Sequence, residues 1–125
     1  MNQLPFFSII VVAFNASDSI EKTMQSILAQ SFTDFEVIVK DGQSFDDTVN
    51  KIPKDPRIIV HVSRDDGIYD AMNQALANTK GRFINFLNCG DCFSCPTTLR
   101  SVYEEAKNHA EPCVIYGNLH KQILR

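Results

Sequence analysis

Five short apolar runs, rich in β-branched and aromatic residues, recur along the chain between turn residues and segments of helical spacing. They occupy residues 7–13, 35–40, 57–62, 83–87 and 113–116. The first run is almost continuously hydrophobic, which is typical of a parallel strand covered on both faces of a sheet. The sequence therefore predicts five strands, of which the first is central.

Between these runs, apolar residues repeat along one side of predicted helices. The stripes are Ile20, Met24, Ile27 and Leu28; Ile68, Met72, Ala75 and Leu76; and Leu99, Val102, Tyr103 and Ala106. The first helix is expected to end near Gln30, and a helix after Thr48 must be short because Pro53 and Pro56 follow. Alternating strands and helices with short connections predict an α/β fold, a mainly parallel sheet with helices on both faces.

Length and composition indicate an ordinary globular domain spanning residues 1–125. With 44% hydrophobic residues, 22% charged residues and a net charge of -3, the chain gives no electrostatic support for nucleic-acid binding. Its longest nearly uninterrupted apolar stretch, residues 6–14, is far shorter than the about 20 residues of a membrane-spanning helix. No export signal precedes that stretch, so a cytoplasmic location is expected.

Four cysteines, Cys89, Cys92, Cys95 and Cys113, allow two interpretations. The close spacing of the first three is compatible with an iron–sulfur or zinc site. However, Pro96 follows the third cysteine rather than a fourth, and Cys113 lies beyond a predicted helix. Reduced thiols are therefore the favoured interpretation in a chain without an export signal.

Candidate binding chemistry lies at the ends of two predicted strands. Asp41 and Asp91 come just after the runs 35–40 and 83–87. Ligands of open α/β sheets bind beyond the carboxyl ends of the strands, so the two carboxylates indicate a ligand site. Two structural roles stay open, Asp41 as a turn residue bonded to its own backbone and Asp91 as a loop or capping acid.

The turn after the first strand narrows the ligand class. Phe14, Asn15, Ala16 and Ser17 include no glycine, so neither a dinucleotide fingerprint nor a P-loop can form there. Hydride transfer and P-loop phosphoryl transfer lose support.

Five segments carry a family resemblance. Residues 8–15 read S-I-I-V-V-A-F-N, residues 26–30 read S-I-L-A-Q, and residues 41–48 read D-G-Q-S-F-D-D-T. Residues 66–73 read D-G-I-Y-D-A-M-N, and residues 80–91 read K-G-R-F-I-N-F-L-N-C-G-D. In this order, the segments resemble those of the family 2 glycosyltransferases, including members that build bacterial polysaccharides. The resemblance implies the GT-A fold, a nucleotide-binding α/β sandwich.

The resemblance also implies an inverting glycosyltransferase. The donor would be a nucleoside-diphosphate sugar, with a UDP-sugar expected, and the acceptor a glycan or a lipid-linked molecule in cell-surface polysaccharide biosynthesis. Asp41 would accept a hydrogen bond from the base, and the backbone around Ala13, Phe14 and Asn15 would line the base pocket. The other residues implied to contact the donor are Asp66, Gly67, Asp70 and Asn73. Helix capping is the alternative role for the polar side chains among them.

A divalent cation, Mg²⁺ or Mn²⁺, is the cofactor that the resemblance implies, with Asp91 as its ligand. The family usually supplies two or three aspartates at this point, whereas this chain has Asn88, Cys89 and Gly90 before Asp91. A single carboxylate together with substrate phosphates is still an ordinary way to bind Mg²⁺.

Other polar residues are expected to be structural. Lys40 is predicted at a solvated rim, with approach to a phosphate as the alternative. His61 and His109, in a strand and at a helix end, have no positioned partner for general-base chemistry. Asp46 and Asp47 are predicted to serve a helix N-terminus, which favours acids.

No residue of the chain is a convincing catalytic base, because the family places that acid after a segment similar to residues 116–118. The base is expected beyond Arg125. We therefore expect the donor-binding half of a glycosyltransferase, with exposed apolar surface that would favour homo-oligomers and with possible peripheral association at the inner membrane. The alternative is a truncated, non-catalytic nucleotide-sugar-binding module.

Overall fold

Strands and helices alternate along residues 4–108, the part of the chain that this computed structural model describes. The strands are β1 (Phe7–Ala13), β2 (Phe35–Asp41), β3 (Ile58–Val62) and β4 (Phe83–Phe86). The helices are α1 (Ile20–Leu28), α2 (Ile68–Leu76) and α3 (Thr98–Ala106), and a 3₁₀ turn at Val49–Lys51 is the predicted short helix. The predicted strand at 113–116 and His109 lie outside the described residues.

The described strands form a parallel sheet in the order β3-β2-β1-β4. The central position predicted for β1 is confirmed. In the register of the sheet, Asp41 lies beside Ala13 on one side and Val62 on the other. Since all these strands run in the same direction, their carboxyl ends and the loops that follow meet at one edge of the sheet.

Helices cover both faces of the sheet, as predicted. On one face, Ile9 and Val37 belong to an apolar cluster that includes Met24 of α1 and Leu99 of α3. On the other face, Ile10 and Ile38 form a smaller cluster with Ala75 of α2. Side chains that alternate across a strand explain this division, because neighbouring residues of β1 and β2 face opposite layers. None of the helices in residues 4–108 is long and apolar enough to cross a membrane.

Gln30 explains where α1 ends. The helix stops at Leu28, slightly before the predicted end, and the Gln30 side chain then bonds to the backbone around it. Its amide nitrogen donates to the Ser26 and Cys95 carbonyls (3.2 and 2.8 Å), and its oxygen accepts from the Leu99 amide at 3.0 Å. Because Gln30 is buried, these bonds satisfy backbone groups that water does not reach. They tie the end of α1 to the start of α3.

Candidate functional site

A pocket of about 760 Å³ opens at the carboxyl edge of the sheet. Its lining comes from the segments that follow all the described strands, in the manner of ligand sites in open α/β sheets. Four residues predicted to bind the donor line it: Ala13, Phe14, Asn15 and Gly67. Residues that the sequence analysis did not assign to the donor also line it: Val12, Ala16, Ser19, Gly42, Gln43, Phe45, Arg64, Asp65, Ile68, Asn88 and Cys89.

Asp41 is the last residue of β2 rather than the residue after it, and it is fully buried. One carboxylate oxygen accepts a hydrogen bond from the Ser44 amide at 2.8 Å, and the other accepts one from the Ser44 hydroxyl at 2.6 Å. The turn role left open for Asp41 is therefore present. A carboxylate offers about four acceptor positions, so these two bonds leave capacity for a further donor.

The loops after β1 and β2 are joined by side chains of the family-like segments. Asn15 adopts a positive φ of 49°, a conformation that asparagine tolerates well. Its amide donates to the Ser44 hydroxyl, and its side-chain oxygen accepts from the Phe45 amide, both at 2.8 Å. The Ala16 amide likewise donates to the Thr48 hydroxyl at 2.8 Å. These bonds fix one wall of the pocket against Asp41.

Asp46 has the structural role that was predicted. Its carboxylate accepts from the Ser17 amide at 3.2 Å, from the Thr48 amide at 3.0 Å and from the Thr48 hydroxyl. The hydroxyl of Thr48 is the main reason that the pKa of Asp46 falls to about 2. Asp46 therefore stays ionised at neutral pH and holds the two loops together.

Two aromatic rings stand at the mouth of the pocket. Phe14 and Phe45 are exposed, with ring centroids 6.0 Å apart and planes at 71°. Such an edge-to-face pair is a favourable aromatic geometry. It gives the pocket an apolar rim.

The prediction that Lys40 lies at a solvated rim is wrong. Only 1% of Lys40 is exposed, and its Nζ lies 2.9 Å from Oδ2 of Asp65. The same nitrogen donates to the carbonyls of Asp41 and Ser63. The side chain faces the α2 side of the sheet, and these acceptors compensate its burial. Partial burial opposes ionisation of Asp65, but the Lys40 ammonium and the Gly67 amide hold its pKa below the usual value.

The segment before α2 is tied to the first turn of that helix by Asp70. The Asp70 carboxylate accepts from the Asp66 amide at 2.8 Å and from the Gln74 side chain at 3.0 Å. Asp66, Asp70 and Asn73 do not belong to the pocket lining, whereas Gly67 does. Asp70 therefore has a structural role at the start of α2 without its side chain bonding to the N-cap residue Gly67, and donor contact by these polar side chains stays a prediction.

The loop after β4 carries the predicted metal ligand. Amides on either side of Asp91 are tied to α1: Gly90 donates to the Thr23 hydroxyl at 2.9 Å, and Phe93 donates to the Ser26 hydroxyl at 3.2 Å. Asp91 is half-buried and outside the pocket lining, whereas Asn88 lies in that lining. The side-chain oxygen of Asn88 is buried without a hydrogen-bond partner in residues 4–108.

The side-chain oxygens of Asp91 and Asn88 supply only some of the ligands that a hard divalent cation needs. Within the described range, no group of three or more histidine, cysteine, aspartate or glutamate side chains could hold a metal ion. The Asp91 carboxylate and the unpartnered Asn88 oxygen are nevertheless the ligand types that Mg²⁺ and Mn²⁺ prefer. A cation in this loop would depend on substrate phosphates for its remaining ligands.

The cysteines of the same loop are free thiols with different environments. Cys95 is exposed, and hydrogen bonding with the Thr97 and Thr98 hydroxyls lowers its pKa to about 7. Cys89 lies in the pocket lining, and burial, together with the nearby Asp41 charge, raises its pKa to about 12. No metal–thiolate cluster forms among the described residues.

We expect iodoacetamide to label Cys95 much faster than Cys89 at neutral pH, because the thiolate is the reactive form. Labelling of Cys95 should rise through about pH 7 and level off about one unit above it, while Cys89 stays slow up to about pH 9. Peptide mapping by mass spectrometry measures both rates, and replacing Thr98 by valine should move the Cys95 profile to higher pH. Equal labelling of the two thiols at neutral pH would contradict this assignment.

A parallel sheet whose strand ends open into one pocket defines a ligand-binding α/β domain. The chain belongs to the family described as Glycosyl transferase family 2, whose profile matches residues 8–123. A PGL/p-HBAD biosynthesis glycosyltransferase of Mycobacterium bovis (strain BCG / Pasteur 1173P2) is 32% identical over 120 residues, which cover 92% of this chain and 47% of that protein. The Escherichia coli UDP-Glc:alpha-D-GlcNAc-diphosphoundecaprenol beta-1,3-glucosyltransferase WfaP is 43% identical over 88 residues, covering 67% of this chain and 35% of that protein.

Solved structures confirm the GT-A fold class. S. aureus TarS 1-349 in complex with UDP-GlcNAc superposes with a TM-score of 0.73 at 27% identity, covering 82% of this chain and 31% of that chain. The mannosyltransferase PcManGT from Pyrobaculum calidifontis, in complex with GDP-Man and Mn²⁺, gives a TM-score of 0.71 at 23% identity, covering 78% of this chain and 31% of that one. The chain thus spans less than half the length of these relatives and structures.

Proposed function

We propose that this chain binds the donor of an inverting glycosyltransferase, a nucleoside-diphosphate sugar and specifically a UDP-sugar. The observation that carries the proposal is that four of the five family-like segments contribute residues to a single pocket at the carboxyl edge of the sheet. WfaP is named for a UDP-Glc donor, and TarS was solved with UDP-GlcNAc, which supports uracil as the base. The acceptor is a glycan or a lipid-linked molecule of cell-surface polysaccharide synthesis. The name of WfaP gives that enzyme a lipid-linked acceptor, alpha-D-GlcNAc-diphosphoundecaprenol.

The pocket offers a suitable partner for each part of the donor. Asp41 is buried and outside the lining, but its neighbours Ala13 and Gly42 belong to it. Its carboxylate would accept from the base, and the exposed Phe14 ring would offer an apolar surface. Arg64 lies in the lining and supplies a cation for the diphosphate. Asn88 has a buried side-chain oxygen that finds no hydrogen-bond partner within residues 4–108, and this oxygen would accept from a ribose hydroxyl or bind a cation.

Asp91 and Asn88 would hold a divalent cation. When bound, such an ion neutralises the diphosphate leaving group and so lowers the barrier to sugar transfer. The protein's own contribution is to fix the loop between its two contacts with α1, so that its oxygen ligands are held in place before the donor binds.

Calorimetric titration with UDP, UDP-glucose, UDP-GlcNAc, GDP and ADP, each with Mn²⁺ or with EDTA, tests the proposal. We expect UDP compounds to bind with dissociation constants of about 1 μM to 1 mM, the usual range for enzyme substrates, and more tightly with Mn²⁺. GDP and ADP serve as matched diphosphates with purine bases, and they should bind more weakly. Failure of every nucleotide to bind at millimolar concentration would refute the proposal.

A second candidate function is that of a non-catalytic nucleotide-sugar-binding module. The presence of Asn88, Cys89 and Gly90 where the family usually has aspartates favours it. Donor hydrolysis or transfer by this chain, detected as release of UDP, separates the two functions. Turnover would exclude the module, and UDP binding without turnover would support it.

A further inference from the structure

The buried ammonium of Lys40 is the strongest structural feature outside the residues predicted to bind the donor or the cation. Its Nζ reaches three acceptors: the Ser63 carbonyl at 2.6 Å, Oδ2 of Asp65 at 2.9 Å and the Asp41 carbonyl at 3.2 Å. A lysine ammonium has three donors, so each has an acceptor. Lys40 is 1% exposed and absent from the pocket lining, and because protein acceptors take all three of its N–H donors, none remains for a ligand.

Asp65, by contrast, belongs to the pocket lining. One of its oxygens accepts from the Gly67 amide at 3.2 Å, while the other binds Lys40. Asp65 also packs against Gly42, where an added Cβ would lie 2.9 Å from its Oδ2. The backbone supports the same arrangement, because the Ser63 amide donates to the Asp41 carbonyl at 3.0 Å.

We propose that the Lys40–Asp65 ion pair holds residues 63–67 in place as one wall of the nucleotide-sugar pocket, which makes Lys40 a positioning residue for donor binding. The inference rests on the proposed function. It assigns a role to a lysine that sits inside a strand and to an aspartate next to the family-like segment.

The ion pair can hold the loop in place because Lys40 is buried, whereas the loop that carries Asp65 is largely exposed. The Lys40 end is buried, so moving residues 63–67 away would leave the ammonium with the Asp41 carbonyl as its one acceptor of the three, and breaking a buried pair is costly. The opposite end is an exposed loop: Arg64, Asp66 and Gly67 are all exposed, and Gly67 has a φ of 125°. Without the pair, this wall of the pocket would be fixed mainly by hydrogen bonds from the Ser63 amide to the Asp41 carbonyl and from the Asp66 amide to the Asp70 carboxylate.

The test compares Lys40→Met, Asp65→Asn and the double variant in the full chain. Titration with UDP gives the dissociation constants, and amide hydrogen exchange without nucleotide reports the order of residues 63–67. The control is Asp55→Asn, which removes a pair of similar length, 3.0 Å between Asp55 and Arg57, away from the pocket. All measurements are made below the unfolding temperature of each variant, determined by circular dichroism.

We expect Lys40→Met to weaken UDP binding about 10-fold and to accelerate exchange of the Gly67 amide by a similar factor. The double variant should bind UDP no more weakly than the single variant with the lower affinity, because both substitutions break the same Lys40–Asp65 ion pair. Asp55→Asn should change neither measurement.

Unchanged exchange of residues 63–67 in Lys40→Met would overturn the inference, and so would additive losses of affinity in the double variant. If Lys40→Met does not fold, Asp65→Asn decides by its exchange at Gly67, and wild-type exchange there would overturn the inference. Failure of the wild-type chain to bind any nucleotide would defeat the proposed function instead, while the exchange measurement still tests the ion pair itself.

Discussion

Replacing Gly81 by alanine is expected to destabilise the domain by about 3 kcal/mol or more, a large part of the roughly 5–15 kcal/mol typical of such proteins. An added Cβ would lie 2.5 Å from both the Ser8 amide nitrogen and the Ser8 hydroxyl, and 2.6 Å from the Phe7 carbonyl carbon. Two of these atoms belong to the backbone of the central strand. The strand cannot move aside without shifting its pairing with both neighbours.

The clash would also break a buried polar network. The Ser8 hydroxyl accepts from the Gly81 amide at 2.7 Å and donates to Glu36 at 2.5 Å. The same Glu36 oxygen accepts from the Lys80 amide at 2.6 Å. Displacing Ser8 would leave Glu36, which is buried, with fewer donors, and such unpaired buried carboxylates are costly.

Urea unfolding of Gly81→Ala measures the loss, with Gly90→Ala as the control. Gly90 has a φ of 97°, but an added Cβ there meets no atom within 4 Å. The control therefore carries only the conformational cost of that φ, about 1–2 kcal/mol. If Gly81→Ala were no less stable than Gly90→Ala, the close approach to β1 would not have the cost assigned to it.

The elements were predictable because their signals are local. β1 and β2 are mostly apolar runs, and α1 has a one-sided apolar stripe, so burial and periodicity agree. The end of β2 was misplaced by one residue, since Asp41 is polar and yet pairs with Ala13 and Val62. The strand order was not predicted beyond the central place of β1, because order depends on contacts between distant segments.

Part of the pocket lining was predictable where a motif marks a turn at a strand end, as at Asn15 and Gly67, whereas Asp41 is buried outside that lining. The Lys40–Asp65 pair was missed although a signal existed, because a lysine within an apolar strand needs a buried acceptor. Two neighbouring aspartates follow β3, and only the fold shows that Asp65 reaches Lys40 while the Asp66 amide bonds to Asp70. Asn88 was recorded as a departure from the family pattern, and its place in the pocket lining required the structure.

Removing the Asp41 carboxylate is expected to cause the largest loss of donor affinity. A hydrogen bond to a charged group contributes about 1.5–3 kcal/mol, so Asp41→Ala should weaken UDP binding roughly 10- to 150-fold. Part of that loss would come from the turn, because Asp41 accepts both the amide and the hydroxyl of Ser44. Ser44→Ala is the matched control, since it removes the hydroxyl from the turn and leaves the Asp41 carboxylate in place.

Two comparisons separate base recognition from the turn. If Asp41 accepts from the base, Ser44→Ala should lose less than about 10-fold in UDP affinity, because the carboxylate and the Ser44 amide remain. UDP methylated at the base N3 lacks the donor, so the wild-type chain should bind it about as weakly as Asp41→Ala binds UDP, and Asp41→Ala should not distinguish the two nucleotides. Equal losses in Asp41→Ala and Ser44→Ala, with no effect of methylation, would instead assign Asp41 to the turn alone. The buried carboxylate would then shape the pocket through Ser44 and Asn15 without contacting the donor.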